Sequence, residues 1–197
     1  MPQITRLVAG KRNPGRANVY VDGRFTFAIS LDTVLRDHLK VGIELRTEAI
    51  SAYQSGDARE HLYGKILNFL SYRPRSVKEV RDRVRRFSPD LPNEELGELL
   101  ARLEREGYLS DLAFARWFVD SRVSHRPRSR LHLSSELFAK GISKAIIQSV
   151  LPENNQAALQ DLITRHANYS RERLVGYLAR KGFSYSDIQA ALEESAL

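Results

Sequence analysis

Over residues 1–30 apolar and polar positions alternate, the two-residue period of a strand with one buried face. The segment VYVDGRFTFAI sets Asp22-Gly23 between two runs of β-branched and aromatic residues. This pattern predicts a hairpin with a type I′ turn, because both central residues of that turn need positive φ. The run ITRLVA offers a third strand. A ribbon of two or three strands is marginal by itself, so it should pack against the helical segments after it. LDTVLRDHL then reads as a short helix closed by Gly42, and TEAISAYQS begins another.

From about residue 58 onward the period is helical throughout, and the pattern repeats. Aligned on Ser76, Ser129 and Ser170, the fourth residue after each is Val80, Leu133 and Leu174, and the eighth is Val84, Leu137 and Leu178. Offsets of four and eight lie on one helical face. Lys140-Gly141 and Lys181-Gly182 follow in the second and third copies, where glycine suits a left-handed helix C-cap, while the first copy has Phe87-Ser88. Beyond the glycine, Ser143 precedes Ile147 and Leu151, and Ser184 precedes Ile188 and Leu192, which predicts a second, serine-capped helix. In the first copy Asn93 takes the capping role, ahead of Leu96, Leu99, Leu100 and Leu103. The preceding helices are HLYGKILNFLSY, LAFARWFVDSRV and ALQDLITRHA.

The expected fold is therefore mainly α: three tandem three-helix repeats in an elongated, curved array, behind a small N-terminal β-hairpin with short helices. The expected boundaries are residues 1–57 for the N-terminal module, then 58–108, 109–152 and 153–197 for the three repeats. Stacked helical units of this kind suit long or filamentous partners better than small molecules.

Charge adds a direction. The 197-residue chain carries a formal net charge of +7. Residues 1–60 hold 9 Lys/Arg against 7 Asp/Glu, residues 61–152 hold 17 against 11, and residues 153–197 hold 5 against 6. The excess sits in the middle, as a phosphate-facing surface requires. With no cysteine, disulfides and Cys-based zinc or redox chemistry are excluded, and a reducing compartment is the natural home. No apolar run approaches the roughly 20 residues that span a bilayer, and MPQITRLVAGKRNPG lacks a signal-peptide core, so a soluble cytoplasmic protein is expected.

Catalytic patterns are missing. His38, His61, His125, His132 and His166 are scattered, with no HExxH pair. The stretch from Gly10 to Gly15 places Lys11 among glycines without the Ser/Thr of a phosphate-binding loop, and no GxSxG elbow occurs. No enzyme activity, catalytic residue, metal, cofactor or small-molecule substrate is expected. Trp117 lies beside Phe114 and Phe118 at core spacing, and Tyr20, Phe25 and Phe27 read as packing residues.

The cations carry the candidate site. In the helix from Val77 to Phe87, Val77, Val80, Val84 and Phe87 form the apolar stripe. Glu79 with Arg83, and Asp82 with Arg86, stand at i,i+4 and are expected to pair. Lys78, Arg81 and Arg85 form a second stripe, expected to stay open to phosphate or an acidic partner. Arg73 and Arg75 flank Pro74 in the loop before this helix, and Arg122, Arg126, Arg128 and Arg130 cluster about Pro127 at the equivalent place in the second repeat. If the repeats stack regularly, both clusters reach one face as a basic track.

The run EGYLSDLAFA from Glu106 to Ala115 fits G-[YF]-[LI]-[DN]-D-x-x-[FY]-A at all but one position, and SVKEVRDRV from Ser76 to Val84 fits S-x-x-E-[LV]-x-x-[KR]-[LV]; these resemble a signature and a segment of the RecX family of regulatory proteins. Ser135 to Ser143 is similar to E-L-x-x-K-G-[IV]-[SDP], and Leu178 to Phe183 to [LI]-x-[RK]-[RK]-G-[FY]. The resemblance spans about residues 60–195. It implies three three-helix repeats in a cytoplasmic protein that binds the RecA filament on single-stranded DNA, with duplex DNA bound weakly at most. The implied activity is modulation, usually inhibition, of strand exchange and RecA-dependent ATP hydrolysis in DNA repair, recombination and the SOS response. Two positions depart from the pattern: Pro127-Arg128-Ser129 replaces a common glycine, and Ser110 stands where Asp or Asn is usual.

Two other classes share these features. A sequence-nonspecific, helix-turn-helix-like DNA-binding protein without a recombinase partner would carry similar basic entry loops. A scaffold for an acidic protein would bind no nucleic acid even at low salt.

Overall fold

A computed structural model describes residues 1–10, 14–125 and 127–195 of the chain. Two compact units divide between Asn68 and Phe69.

The first unit contains an antiparallel sheet, β1 (Ile4–Ala9), β2 (Arg16–Val21) and β3 (Arg24–Ser30), in that order. Asp22 and Gly23 have φ of 47° and 79°, so the β2–β3 connection has the positive angles its sequence predicts. ITRLVA does supply the third strand, paired along β2. One sheet face buries Val19, Val21, Phe27 and Ile29 with Ile4, Leu39 and Leu45. The helix α1 (Leu31–Arg36) starts at Ser30, whose hydroxyl accepts from the Thr33 amide at 3.1 Å. Its end differs from expectation. His38, at φ 51°, takes the left-handed position, and the Leu39 amide closes onto the Val34 carbonyl at 2.9 Å. Gly42 instead serves the following turn, where its amide donates to the Ile4 carbonyl at 2.8 Å.

A further difference is α2 (Thr47–Ser71), one 25-residue helix that runs unbroken through the expected 57/58 boundary. No proline interrupts this stretch, and Gly56 and Gly64 are tolerated within it. On the first unit α2 covers the β3 edge. Gln54 donates to the Thr26 carbonyl at 3.2 Å, and Asp57 accepts from the Ala28 amide at 3.2 Å while pairing with Arg16. The Tyr53 ring stacks on Phe27 with centroids 5.1 Å apart.

The second unit holds α3 (Val77–Phe87), α4 (Asn93–Arg105), α5 (Asp111–His125), α6 (Arg130–Ala139), α7 (Lys144–Val150), α8 (Gln156–Arg165), α9 (Arg171–Arg180) and α10 (Tyr185–Glu194). The tandem three-helix pattern is present. Ser76, Ser129, Ser143, Ser170 and Ser184 each cap a helix by accepting a backbone amide three residues on. The residues four and eight after the first-helix serines, Val80, Val84, Leu133, Leu137, Leu174 and Leu178, are all buried. Two further cores follow the repeat. Phe114, Phe118, Leu133, Leu137, Ile142 and Ile147 form one, and Leu159, Leu162, Leu174, Leu178, Ile188 and Leu192 another. Trp117 is half-buried against the first of these. In the first copy Asn93 does not cap α4; the cap position is Pro92, and Asn93 Oδ1 accepts from Arg85.

Candidate nucleic-acid interface

The basic entry loops lie where consecutive repeats dock. Ser76 and Ser129 are 0% exposed, whereas Ser170 at the same place in the third copy is exposed. The Ser76 hydroxyl donates to the Lys140 carbonyl at 2.8 Å, so the start of α3 abuts the end of α6. Beside it, the Val77 amide donates to Asp111 Oδ1 at 2.8 Å. The second copy repeats this arrangement, with the Arg130 amide donating to Asn155 Oδ1 at 2.8 Å and Ser129 packed on Gly182. Gly141 and Gly182 adopt φ of 83° and 85°, and a Cβ on Gly182 would stand 2.8 Å from Ser129 Oγ. Glycine is thus required twice over, by conformation and by close approach.

Contacts within and between repeats consume most of the expected basic track. Arg73 makes a two-pronged bond to Glu79, both contacts at 3.1 Å, and its guanidinium lies over the Trp117 ring. Lys140 reaches the same carboxylate at 2.7 Å. Burial pushes the Glu79 carboxyl up, but the hydrogen bonds from Arg73 and Lys140 outweigh it and hold the group below its ordinary range. Glu79 therefore pairs with residues outside its own helix, and Arg83 packs on the Phe69 and Phe87 rings instead. Arg75 also lies on Phe69, 4.1 Å from the ring centroid. Burial, with the neighbouring Arg73 charge, lowers the Arg75 pKa.

The Lys78, Arg81 and Arg85 stripe is only partly open. Lys78 Nζ donates to the Ala139 carbonyl at 2.9 Å, closing the end of α6. Arg85 donates to the carbonyls of Pro89 and Leu91 and to Asn93, which fixes the α3–α4 connection. Arg81 is exposed and, among the described residues, has no partner. The expected Asp82–Arg86 pair does not form, so Arg86 is exposed and unpaired among the described residues too. An i,i+4 spacing permits such a pair, but on a water-exposed helix face its gain is a few tenths of a kcal/mol at best.

In the second cluster Arg122 meets Glu136 at 3.0 Å. Arg128 is 3.9 Å from the same carboxylate, too far for a hydrogen bond, and its Nε is buried without an acceptor. Arg130 donates to the Pro152 and Glu153 carbonyls. Arg126 lies outside the described residues. Arg105 and Arg116, which no motif singled out, are also exposed and without a partner among the described residues. Their signal was present only as charge.

Among the described residues no group of three His, Asp or Glu side chains could hold a metal, and no helix is long and apolar enough to cross a membrane. The fold and this surface define a class: a small sheet module followed by serine-capped, three-helix repeats with cation-rich entries.

Comparison with known proteins narrows the class. The family model described as "Regulatory protein RecX N-terminal domain" matches residues 2–46, and "RecX, second three-helix domain" matches residues 110–151. The regulatory protein RecX of Bacillus pumilus is 33% identical over 207 residues, covering 99% of this chain and 78% of the relative. That of Bacillus subtilis is 31% identical, covering 98% and 77%. The crystal structure of a regulatory protein RecX has a similar fold, with a TM-score of 0.74 and 24% identity over 98% of this chain and 100% of that one. RecX from Lactobacillus salivarius gives a TM-score of 0.59 and 24% identity, covering 71% and 97%. The chain belongs to the RecX family of regulatory proteins.

Proposed function

We propose that this protein binds the RecA filament on single-stranded DNA and modulates, usually by inhibition, its strand-exchange and ATPase activities. The observation that carries the reading is family membership across 99% of the chain, joined to exposed arginines that no described side chain engages on two successive repeats. Arg81, Arg86, Arg105 and Arg116 are among the described cations free to meet phosphate or an acidic partner surface. Arg73, Arg75, Lys78, Arg85, Arg122, Arg128 and Arg130 lie against internal groups first and contribute to binding through the field they add. The expected repeats, 58–108, 109–152 and 153–197, supply successive contacts along a filament.

The test is RecA ATPase activity on single-stranded DNA, titrated with this protein below and at equimolar ratio. Inhibition well below one-to-one supports action on filament ends or assembly. No effect at any ratio, with salt-sensitive DNA binding retained, transfers the function to a plain DNA-binding protein.

A further inference from the structure

We propose that the solvent face of the N-terminal sheet is a second binding surface, on which Tyr20 and Phe25 stack an unpaired base of single-stranded DNA. The register puts Arg6, Tyr20 and Phe25 opposite one another, in one row across β1, β2 and β3. Val19 and Val21 are buried, so Tyr20 between them faces the other way. The Arg6 guanidinium stands 5.4 Å from the Tyr20 centroid, and the Tyr20 and Phe25 rings meet edge-on at 5.8 Å. Phe25 remains 57% exposed. The edge-on geometry leaves a ring face in water rather than covering it, and base stacking needs such a face.

The electrostatics suit a nucleic-acid strand. Residues 1–30 contain five basic residues, Arg6, Lys11, Arg12, Arg16 and Arg24, against one acid, Asp22. Asp22 accepts from the Gln3 amide at 3.0 Å, and Arg16 is held by Asp57. Arg6, at the β1 end of the row, is exposed beside the aromatic pair. The platform is also fixed in place. The Gly23 amide donates to Thr5 Oγ1 at 2.9 Å and the Asp22 amide to the Gln3 carbonyl at 3.0 Å, which ties the hairpin tip to β1. Duplex DNA hides its base faces and fits this row poorly. The choice of DNA over RNA rests on the filament reading; the stacking of an unpaired base does not.

The experiment measures binding of the full chain to a fluorescent oligo-dT by anisotropy at low and moderate salt. Loss of one stacking contact predicts about tenfold weaker binding for Phe25→Ala, with Phe25→Trp retaining wild-type affinity. Arg6→Ala should lower the slope of log affinity against log salt by about one. Unchanged circular dichroism and melting of the variants keep the result from being an unfolding effect. Wild-type affinity in Phe25→Ala overturns the proposal, as does tighter binding to oligo-rU, or binding to phosphatidylglycerol vesicles without binding to oligo-dT. If the wild-type chain leaves RecA ATPase unchanged while Phe25→Ala still loses oligo-dT affinity, the sheet surface stands and the filament reading falls.

Discussion

Lys140 Nζ lies 2.7 Å from Glu79 Oε1, while the Lys140 carbonyl accepts the Ser76 hydroxyl at 2.8 Å. One residue at the end of α6 thus grips α3 through both its side chain and its backbone. Glu79, with its side chain 15% exposed, also holds Arg73, so three segments meet on a single carboxylate. Substituting Glu79→Gln keeps the shape and removes the charge that both cations need. The expected loss is about 1–3 kcal/mol, the cost of leaving charged donors underpaired. Chemical denaturation of the two proteins at pH 7 measures it.

The same carboxylate gives a pH signature. Its folded pKa is depressed below the ordinary 4.5, so its stabilising contribution is present above that value and fades as pH falls through the folded pKa. The stability gap between wild type and Glu79→Gln should be full at neutral pH and shrink below about pH 4.5. A gap that stays constant down to the acid limit would show that charge pairing is not what Glu79 contributes.

The three glycines that follow α4, α6 and α9 share positive φ but differ in surroundings. Gly107, at φ 78°, has open space where a Cβ would go. At Gly141 a Cβ would fall 2.8 Å from Lys78 Cβ, and at Gly182 it would fall 2.8 Å from Ser129 Oγ and His132 Nε2. Gly107→Ala should cost about 1–2 kcal/mol, the left-handed penalty alone. Gly141→Ala and Gly182→Ala should cost more, because the inter-repeat contact must open as well. Thermal melting of the three variants ranks them; equal shifts would remove the packing argument.

The cations of α3 should separate into two behaviours. Lys78→Ala and Arg85→Ala remove caps on carbonyls and should lower stability by about 0.5–1.5 kcal/mol each. Arg81→Ala and Arg86→Ala touch no internal partner among the described residues and should leave melting within about 0.5 kcal/mol of wild type. Each should instead reduce the salt slope of single-stranded DNA binding by about one. The reverse assignment, with the capping pair silent in melting, would contradict the hydrogen bonds described for them.

Local structure was legible in the chain alone. Asp22-Gly23 could be read as a tight turn because few residue pairs accept two positive φ angles in succession. The serine caps and the apolar residues four and eight positions beyond them specified α3, α6 and α9 and their buried faces, because capping and helical period act within a dozen residues. The family could be read from the same short runs.

Which charges are available was settled by packing between distant segments. Helical spacing assigned Glu79 to Arg83, but its partners stand six residues before it and 61 residues after it. Lys78 turned from a free cation into a cap because the carbonyl of Ala139 is brought to it across repeats. The exposure of Phe25 was decided in the same way, by what does not pack on it. Propensity and period are short-range quantities, whereas a side chain's partner is chosen by whichever group the folded chain delivers within about 3 Å of it.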